Sequence, residues 1–294
     1  MRRSQIRLTK SEKIRRFVTP FALASLVLSL LIGANASAST RSESASLSNV
    51  VATYSYAGTY PQSLDSRLEI ERSGVVVYDQ PVSSKWCGTG CWPNSISPSA
   101  RVVHVVRLRA RGLPNVVLDL YTGGAHCCAV EQVFYFDAST KKYVKVERDF
   151  GDPGARLEKL GAGGSDDFVT ANDAFAYEFT DFAASGLPIE ILKFTNHSFQ
   201  NVTRSFPTLI STDASQWLKA YEEASSSHYS DTVGVVAAWA ADEDLLGHSS
   251  EVTTFLMKQV KLGRLNSLLN PKAGSGEKFV LLLQKFLKQQ GYLS

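Results

Sequence analysis

The sequence predicts an α+β fold, in which an antiparallel, propeller-blade-like β-repeat domain is followed by a small α-helical C-terminal domain. Three observations support this prediction. From Val50 onward, short runs rich in β-branched and aromatic residues alternate with turn residues. A segment of roughly fifty residues recurs within this β region. After Pro207, apolar residues recur at helical spacing instead.

The N-terminal segment has the three parts of a secretory signal peptide. Residues 2–16 carry seven basic residues and one acid, the apolar run "FVTPFALASLVLSLLIGA" follows, and Ala36-Ser37-Ala38 offers a small-residue cleavage site. We expect residues 1–38 to be removed; an uncleaved membrane anchor is the alternative. Cleavage changes the formal charge from +3 to −3, because seven basic residues and one acid leave. This balance argues against a nucleic-acid partner.

The remaining chain divides into three segments of different composition. Residues 39–49 are rich in serine and polar, and predict a flexible leader. Residues 50–207 are predicted to form the β-repeat domain, with hairpins that turn at Ser73-Gly74 and Asn196-His197. Residues 208–294 carry three or four amphipathic helical patterns. We therefore expect a secreted, periplasmic or cell-envelope protein that has no membrane segment after cleavage.

The internal repeat defines the expected unit of the β domain. "LRARGLPNVVLDL" aligns with "LGAGGSDDFVTAN", so that Leu108 matches Leu160 and Val117 matches Val169, an offset of 52 in both cases. Each copy is a short strand, a glycine loop, a buried strand and a hairpin, which is the size of a propeller blade. The hairpin at 66–79 is a candidate third unit. Three units are too few for an ordinary closed propeller of about four to eight blades.

The motifs "CWP", "LDLYTGGAHCC", "DFGDPG" and "VTRSFP" occur in this order. Together with the repeat, they resemble exported bacterial proteins that carry FG-GAP-like repeats of the integrin-alpha or VCBS type and have no characterised function. The resemblance covers roughly residues 50–245. It implies a secreted β-repeat protein and no assigned reaction.

In such repeats the loop D-x-D-G-D-G holds calcium through its carboxylates. Here the first loop is "RLRARG" and the second is "KLGAGG", so that basic residues and glycines stand where the acids belong. Calcium requires several oxygen ligands, which these loops lack. We therefore expect degenerate loops with neither calcium nor another cofactor.

All four cysteines lie beyond the signal segment, and an even number in an exported chain predicts disulfides. We expect two crosslinks between the "WCGTGCW" loop, with Cys87 and Cys91, and the "HCC" segment, with Cys127 and Cys128. Adjacent residues of a strand point to opposite faces, so each of the adjacent cysteines would reach a different partner. The alternatives are a local Cys87–Cys91 bridge, a vicinal pair, or a zinc site that includes His126.

Six residues are candidates for binding a ligand: His126, Arg107, Arg109, Arg111, Asp119 and Asp173. The three arginines alternate along one stretch, so a shared face could bind an anion or an acidic partner. Asp119 lies between two leucines in a buried-looking strand, where a carboxylate needs a partner. Asp173 belongs to a small acidic cluster with Asp166 and Asp167.

The sequence favours a non-enzymatic secreted binding or structural protein with an unknown extracellular ligand or protein partner. It contains no G-x-S-x-G, H-E-x-x-H or phosphate-loop motif, and no residue is assigned as catalytic. The alternative is a secreted hydrolase that uses acidic residues of the β domain, because paired carboxylates can perform acid–base chemistry on a glycan.

Overall fold

The computed structural model describes residues 40–58, 65–94, 101–125, 127–226 and 231–293. Within these ranges, three antiparallel sheets follow one another along the chain, and four α-helices come after them. The expected α+β fold is confirmed. The expected signal peptide, residues 1–38, and the candidate binding residue His126 lie outside the described residues.

The first sheet has the order β1-β2-β3-β4. Its strands are β1 (Thr40–Leu47), β2 (Val50–Ala57), β3 (Arg67–Arg72) and β4 (Val75–Pro81). The predicted turn at Ser73-Gly74 is confirmed, since both residues have positive φ and Arg72 pairs with Val75.

The expectation of a flexible leader at 39–49 was wrong for residues 40–47, which form β1 along the whole length of β2. Two contacts explain why a serine-rich segment is ordered. Ala45 is buried in the core, and the carboxylate of Glu43 accepts hydrogen bonds from the backbone N–H groups of Val102 (2.9 Å) and Val103 (3.2 Å). The edge strand is thereby tied to the second sheet.

The second and third sheets follow the order of elements that the repeat predicts, a short strand, a loop, a buried strand and a hairpin. The second sheet contains β5 (Trp92–Pro93), β6 (Val103–Val106), β7 (Asn115–Gly124), β8 (Cys127–Asp137) and β9 (Lys142–Asp149). The third contains β10 (Arg156–Glu158), β11 (Asp167–Ala171), β12 (Ile189–Thr195) and β13 (Ser198–Asn201). The two repeat loops touch, because the N–H of Asp166 donates to the carbonyl oxygen of Arg107 at 2.7 Å.

The sheets are stacked as successive layers, and alternate residues of the second sheet serve two different cores. On β7, Val116, Leu118 and Leu120 pack against residues of the first sheet. Val117 points to the opposite side, where it joins Phe168 of the third sheet. Successive side chains of a strand point to opposite faces, so a strand that is covered on both faces contributes to two cores.

The helices cover the far side of the third sheet, where Ile210 packs against residues of β11 and β12. They are α1 (Pro207–Ser225), α2 (Val233–Leu245), α3 (Ser249–Lys261) and α4 (Glu277–Gln289). The amphipathic pattern predicted that α2 would bury only one face. This prediction was wrong, since most residues of α2 are buried around its circumference. Among the described residues, no helix is both long enough and apolar enough to cross a membrane.

Helix α2 packs unusually closely against the loop before β12, and a glycine makes the approach possible. A methyl group added at Gly234 would collide with the carbonyl oxygen of Ala184 and lie 2.7 Å from Cγ2 of Thr180. We expect Gly234→Ala to lower the free energy of unfolding by about 1–3 kcal/mol through overpacking. Chemical denaturation measures this. In the control Gly90→Ala, the added methyl group meets only the Cys87 carbonyl oxygen at 3.4 Å. Equal stability of both variants would contradict the close approach.

Candidate functional site

The structure pairs the cysteines locally. Cys87 is bonded to Cys91 with a Cα–Cα distance of 5.2 Å, and Cys127 to Cys128 with a Cα–Cα distance of 3.0 Å. The expected crosslinks between the two cysteine segments were therefore wrong, and the two local alternatives describe the pairing.

The sheet topology explains why the two segments do not join. Trp92, next to Cys91, pairs with Tyr121 of β7, and Tyr121 pairs in turn with Ala129, next to Cys128. Strand β7 therefore separates the two segments. Two strand spacings amount to about 10 Å, which exceeds the Cα–Cα range of about 4.4–6.8 Å that a disulfide spans.

The Cys127–Cys128 pair is fixed at the start of β8 by Thr122 of β7. The Thr122 hydroxyl accepts a hydrogen bond from the N–H of Cys128 (2.8 Å) and donates to the carbonyl oxygen of Cys127 (3.0 Å). The peptide bond between the cysteines is cis. Both sulfur atoms lie with a carboxylate oxygen of Asp149 in a group whose members are all within 4.8 Å of one another.

This group borders a cleft of about 780 Å³, formed where the second sheet, the third sheet and the ends of the helices meet. Its walls are rich in polar side chains, most of them hydrogen-bond acceptors. These polar side chains include Arg148, Asp149, Asn172, Asp173, Glu190 and Asn201.

The acidic side of the cleft is built around Gly151. Its N–H donates to Oδ1 of Asp149 at 2.8 Å, and a methyl group at this position would collide with the carboxylate of Asp173. Only glycine allows the carboxylate so close. Burial raises the pKa of Asp173 above its ordinary value, and the charges of Asp152 and Asp149 raise it further. Three carboxyl groups therefore converge beside the cysteine pair.

The opposite side of the cleft is a hydrogen-bonded charge pair. The Arg148 guanidinium lies 3.4 Å from a carboxylate oxygen of Glu190, and its carbon is 5.4 Å from the ring centroid of Phe150. The amide of Asn201 donates to the other Glu190 oxygen at 2.9 Å. Burial raises the pKa of Glu190, although Arg148 and Asn201 oppose this shift.

A second polar cluster lies between the second and third sheets, beside a separate cavity of about 490 Å³. Asp119 and Glu131 are opposite each other on β7 and β8, and Nε2 of His104 lies 3.0 Å from Oδ2 of Asp119. All three share the face of the sheet that bears Val117. Only 1% of Glu131 and 6% of Asp119 is exposed.

Burial sets the protonation of this cluster. It raises the pKa of Glu131 well above the ordinary value, and the neighbouring Asp119 adds to the effect. A protonated Glu131 can donate a hydrogen bond to Asp119, whereas two carboxylates cannot bond to each other. Burial opposes protonation of His104, but the hydrogen bond to Asp119 and its charge outweigh burial, so the pKa of His104 is raised. Burial thus favours a protonated Glu131, and the neighbouring Asp119 favours an imidazolium at His104.

The structure separates the candidate residues that the sequence suggested. Asp119 lines the cavity between the sheets, and Asp173 lines the cleft. The guanidinium of Arg107 donates to the Gly112 carbonyl oxygen and to the Ser48 hydroxyl. The loop that carries the three arginines is not a strand, so the alternation that would place them on one face does not apply.

Sequence reasoning missed both Glu131 and His104. Glu131 interrupts the apolar run "AVEQVFYF", and a lone acid in a strand buried on both faces indicates a paired carboxyl. The partner of Glu131 could not be identified from the sequence, because it depends on the strand register, which places Glu131 opposite Asp119.

Comparison with known proteins gives one distant similarity. No family model matches the chain. A probable thylakoid lumen protein of Synechocystis sp. is 28% identical over 148 residues, which are 49% of this chain and 43% of the relative. The match thus spans less than half of the relative's length. No solved structure matches.

The buried carboxyl pair makes stability fall as pH rises. Because the folded pKa of Glu131 is raised, the folded state keeps a proton that the unfolded state releases above the ordinary carboxyl pKa. Stability is lost in that window, by at most about 1.4 kcal/mol per pH unit for one proton. Glu131→Gln cannot ionise, so its free energy of unfolding should decline less between about pH 5 and pH 8.

Denaturant unfolding at several pH values tests this expectation. The pKa of Asp242 is raised to about 10 by burial and by Asp213. This residue lowers the stability of the wild type and of Glu131→Gln equally as the pH rises, so its effect cancels in the comparison. The exposed residue Glu222 supplies the control, since Glu222→Gln should retain the wild-type pH dependence. Parallel curves for the wild type and Glu131→Gln would show that Glu131 is ionised in the folded state.

Proposed function

We propose that this chain is an exported, non-enzymatic binding protein that holds a neutral, hydroxyl-rich ligand, such as a short oligosaccharide, in the cleft beside Cys127 and Cys128. The observation that carries the proposal is the cleft itself. Its volume of about 780 Å³ lies in the range of about 300–1,000 Å³ that is typical of small-molecule sites.

The charges in the cleft favour a neutral ligand. Arg148 is already paired with Glu190, and Arg204 donates to the carbonyl oxygens of Leu245, Gly291 and Tyr292. The remaining charged groups, Asp149 and Asp173, are acids. The lining thus carries three acids against two arginines whose donors are already engaged, which disfavours an anionic ligand, whereas sugar hydroxyls can donate hydrogen bonds to carboxylate and amide oxygens.

The repeated architecture supports the proposed relationship to degenerate FG-GAP-like repeats. Each sheet contains a four-stranded antiparallel meander, and consecutive sheets pack face to face, as blades do in a propeller. The first loop uses Arg107 to bind its own Gly112 carbonyl oxygen where a calcium loop would use an acid. We propose that the loops kept a structural role and no longer bind calcium.

Three features support export as the location of this activity. One is the signal-peptide pattern of residues 1–38. Another is the similarity to a probable thylakoid lumen protein. Paired cysteines are also typical of compartments outside the reducing cytoplasm. Oligosaccharides of the cell envelope are ligands that an exported protein can encounter.

A glycan-array screen of the folded protein, followed by calorimetric titration of the best ligand, tests the proposal. Asp149→Asn should weaken binding at least about tenfold, because it removes a charged acceptor for the ligand's hydroxyl groups, and a hydrogen bond to a charged group contributes about 1.5–3 kcal/mol. Asp65→Asn is the matched control, since it makes the same change at an exposed acid outside the cleft. Binding restricted to acidic glycans, or equal affinity of Asp149→Asn and the wild type, would overturn the proposal.

The second candidate function is hydrolysis by the Asp119 cluster. The observation in its favour is the pairing of His104 with Asp119 next to a cavity. The carboxyls of Asp119 and Glu131 are direct cross-strand neighbours, however, and glycoside hydrolysis uses carboxyls about 5–9.5 Å apart. Asp119 and Asp173 line different cavities. We therefore place binding first.

Turnover assays with a panel of chromogenic glycosides and esters separate the two functions. For a binding protein we expect no turnover above that of Asp119→Asn. The control Asp65→Asn removes an exposed acid. Wild-type turnover that falls at least about 100-fold in Asp119→Asn and persists in Asp65→Asn would establish the hydrolase instead, since acid–base catalysis contributes about 10²–10⁴-fold.

A further inference from the structure

We propose that Cys127, Cys128 and Asp149 form a redox-gated site for a borderline-soft divalent cation such as Zn²⁺. In the disulfide form the site is closed to metal. After reduction to the dithiol, the two sulfurs and the carboxylate bind one ion. This inference goes beyond the proposed binding function and does not depend on a saccharide.

The fold brings three ligand atoms together. The sulfurs of Cys127 and Cys128 and an oxygen of Asp149 lie within 4.8 Å of one another. The two sulfurs are bonded to each other here, so after reduction they must move apart to about 3.5–4 Å, the separation of two ligands that each lie about 2.3 Å from one tetrahedral Zn²⁺. The sequence argument that adjacent cysteines point apart does not hold here, because both sulfurs lie on the same side.

Hydrogen bonds from neighbouring strands and turns fix the segments that carry the ligands. The Thr122 hydroxyl binds both cysteine backbones from the neighbouring strand. Asp149 is paired with Val130 across β8 and β9, and the N–H of Gly151 holds its Oδ1. Metal binding after reduction therefore requires mainly that the two sulfurs separate, while hydrogen bonds of this kind orient the remaining ligand.

The ligand set selects the ion. Two thiolates and one carboxylate suit Zn²⁺ and related ions, whereas Ca²⁺ needs about six to eight oxygens. Asp152 and Asp173 add negative charge near the site, while Arg148 is held by Glu190. The three protein ligands leave a fourth coordination position, which faces the cleft and could be taken by water.

An external dithiol supplies the electrons and protons for the reduction that opens the site. Two electrons and two protons from the reductant convert the Cys127–Cys128 disulfide into two thiols, and the reductant becomes a disulfide. Binding of Zn²⁺ then displaces the two thiol protons and forms two Zn–S bonds. An external disulfide reverses the change: it accepts two electrons from the two thiolates and, with two protons from water, becomes a dithiol, while the Cys127–Cys128 bond forms again and the ion is released.

The other cysteine pair provides an internal control. Among the residues that the structure describes, Cys87 and Cys91 do not belong to any group of three metal-ligating side chains. Reduction of the protein opens both pairs, so the two can be compared within one sample.

The test uses the full chain, reduced and then freed of reductant under anaerobic conditions. Zn²⁺ is titrated against a chromophoric chelator. We expect one equivalent to bind to the reduced protein and none to the oxidised protein. Cys127→Ser/Cys128→Ser should abolish binding, and Asp149→Asn should weaken it at least about tenfold. Cys87→Ser/Cys91→Ser should bind as the wild type does.

A second measurement needs no variant and covers the case in which one fails to fold. In the reduced wild type, Zn²⁺ should protect Cys127 and Cys128 from alkylation and leave the reactivity of Cys87 unchanged, as peptide mass mapping can show. Cys91 is buried in the core and does not enter this comparison. Equal protection of Cys87, equal binding by oxidised protein, or absence of binding after reduction would overturn the proposal. Since no saccharide is present, none of these outcomes affects the proposed ligand of the cleft.

Discussion

The burial of the second sheet on both faces is the constraint on which the rest of the structure depends. Each of its strands must supply apolar side chains alternately to a core shared with the first sheet and to a core shared with the third. No solvent-facing side remains for polar residues in the middle of β7 and β8. Asp119 has His104 as its partner, whereas neither oxygen of Glu131 has a hydrogen-bond partner among the described residues, so the packing itself favours the protonated form of Glu131.

The same layering creates the cleft. The layers come apart where β8 and β9 end and the third sheet meets the helices, and polar side chains from all three line the opening. The turn after Asp149 places Gly151 against the carboxylate of Asp173. This contact brings an acid that follows the third sheet next to the end of the second sheet. The cleft therefore forms at the ends of the sheets, and its residues come from distant parts of the sequence.

The sequence was sufficient for the parts of the fold that follow from local periodicity. The β-to-helix change near Pro207 and the two hairpin turns with positive φ are of this kind. It was insufficient wherever pairing across strands decides the outcome. The cysteine connectivity depended on the position of β7, and the role of Glu131 depended on its register with Asp119. Residues 40–47 look disordered by composition, and it is their pairing with β2, the burial of Ala45 and the contacts of Glu43 with the second sheet that order them.

Every sheet is made from one uninterrupted stretch of chain, and each stretch packs on the one that precedes it. Contacts within a sheet are therefore close in sequence, which lowers the entropy lost when a sheet forms. Because synthesis of the chain starts at the N-terminus, these stretches become available in the order in which they stack. Assembly can then proceed as growth on an existing surface, as in repeat proteins whose units contact only their neighbours. In this order of growth, the helices act as the terminal cap that ends the array.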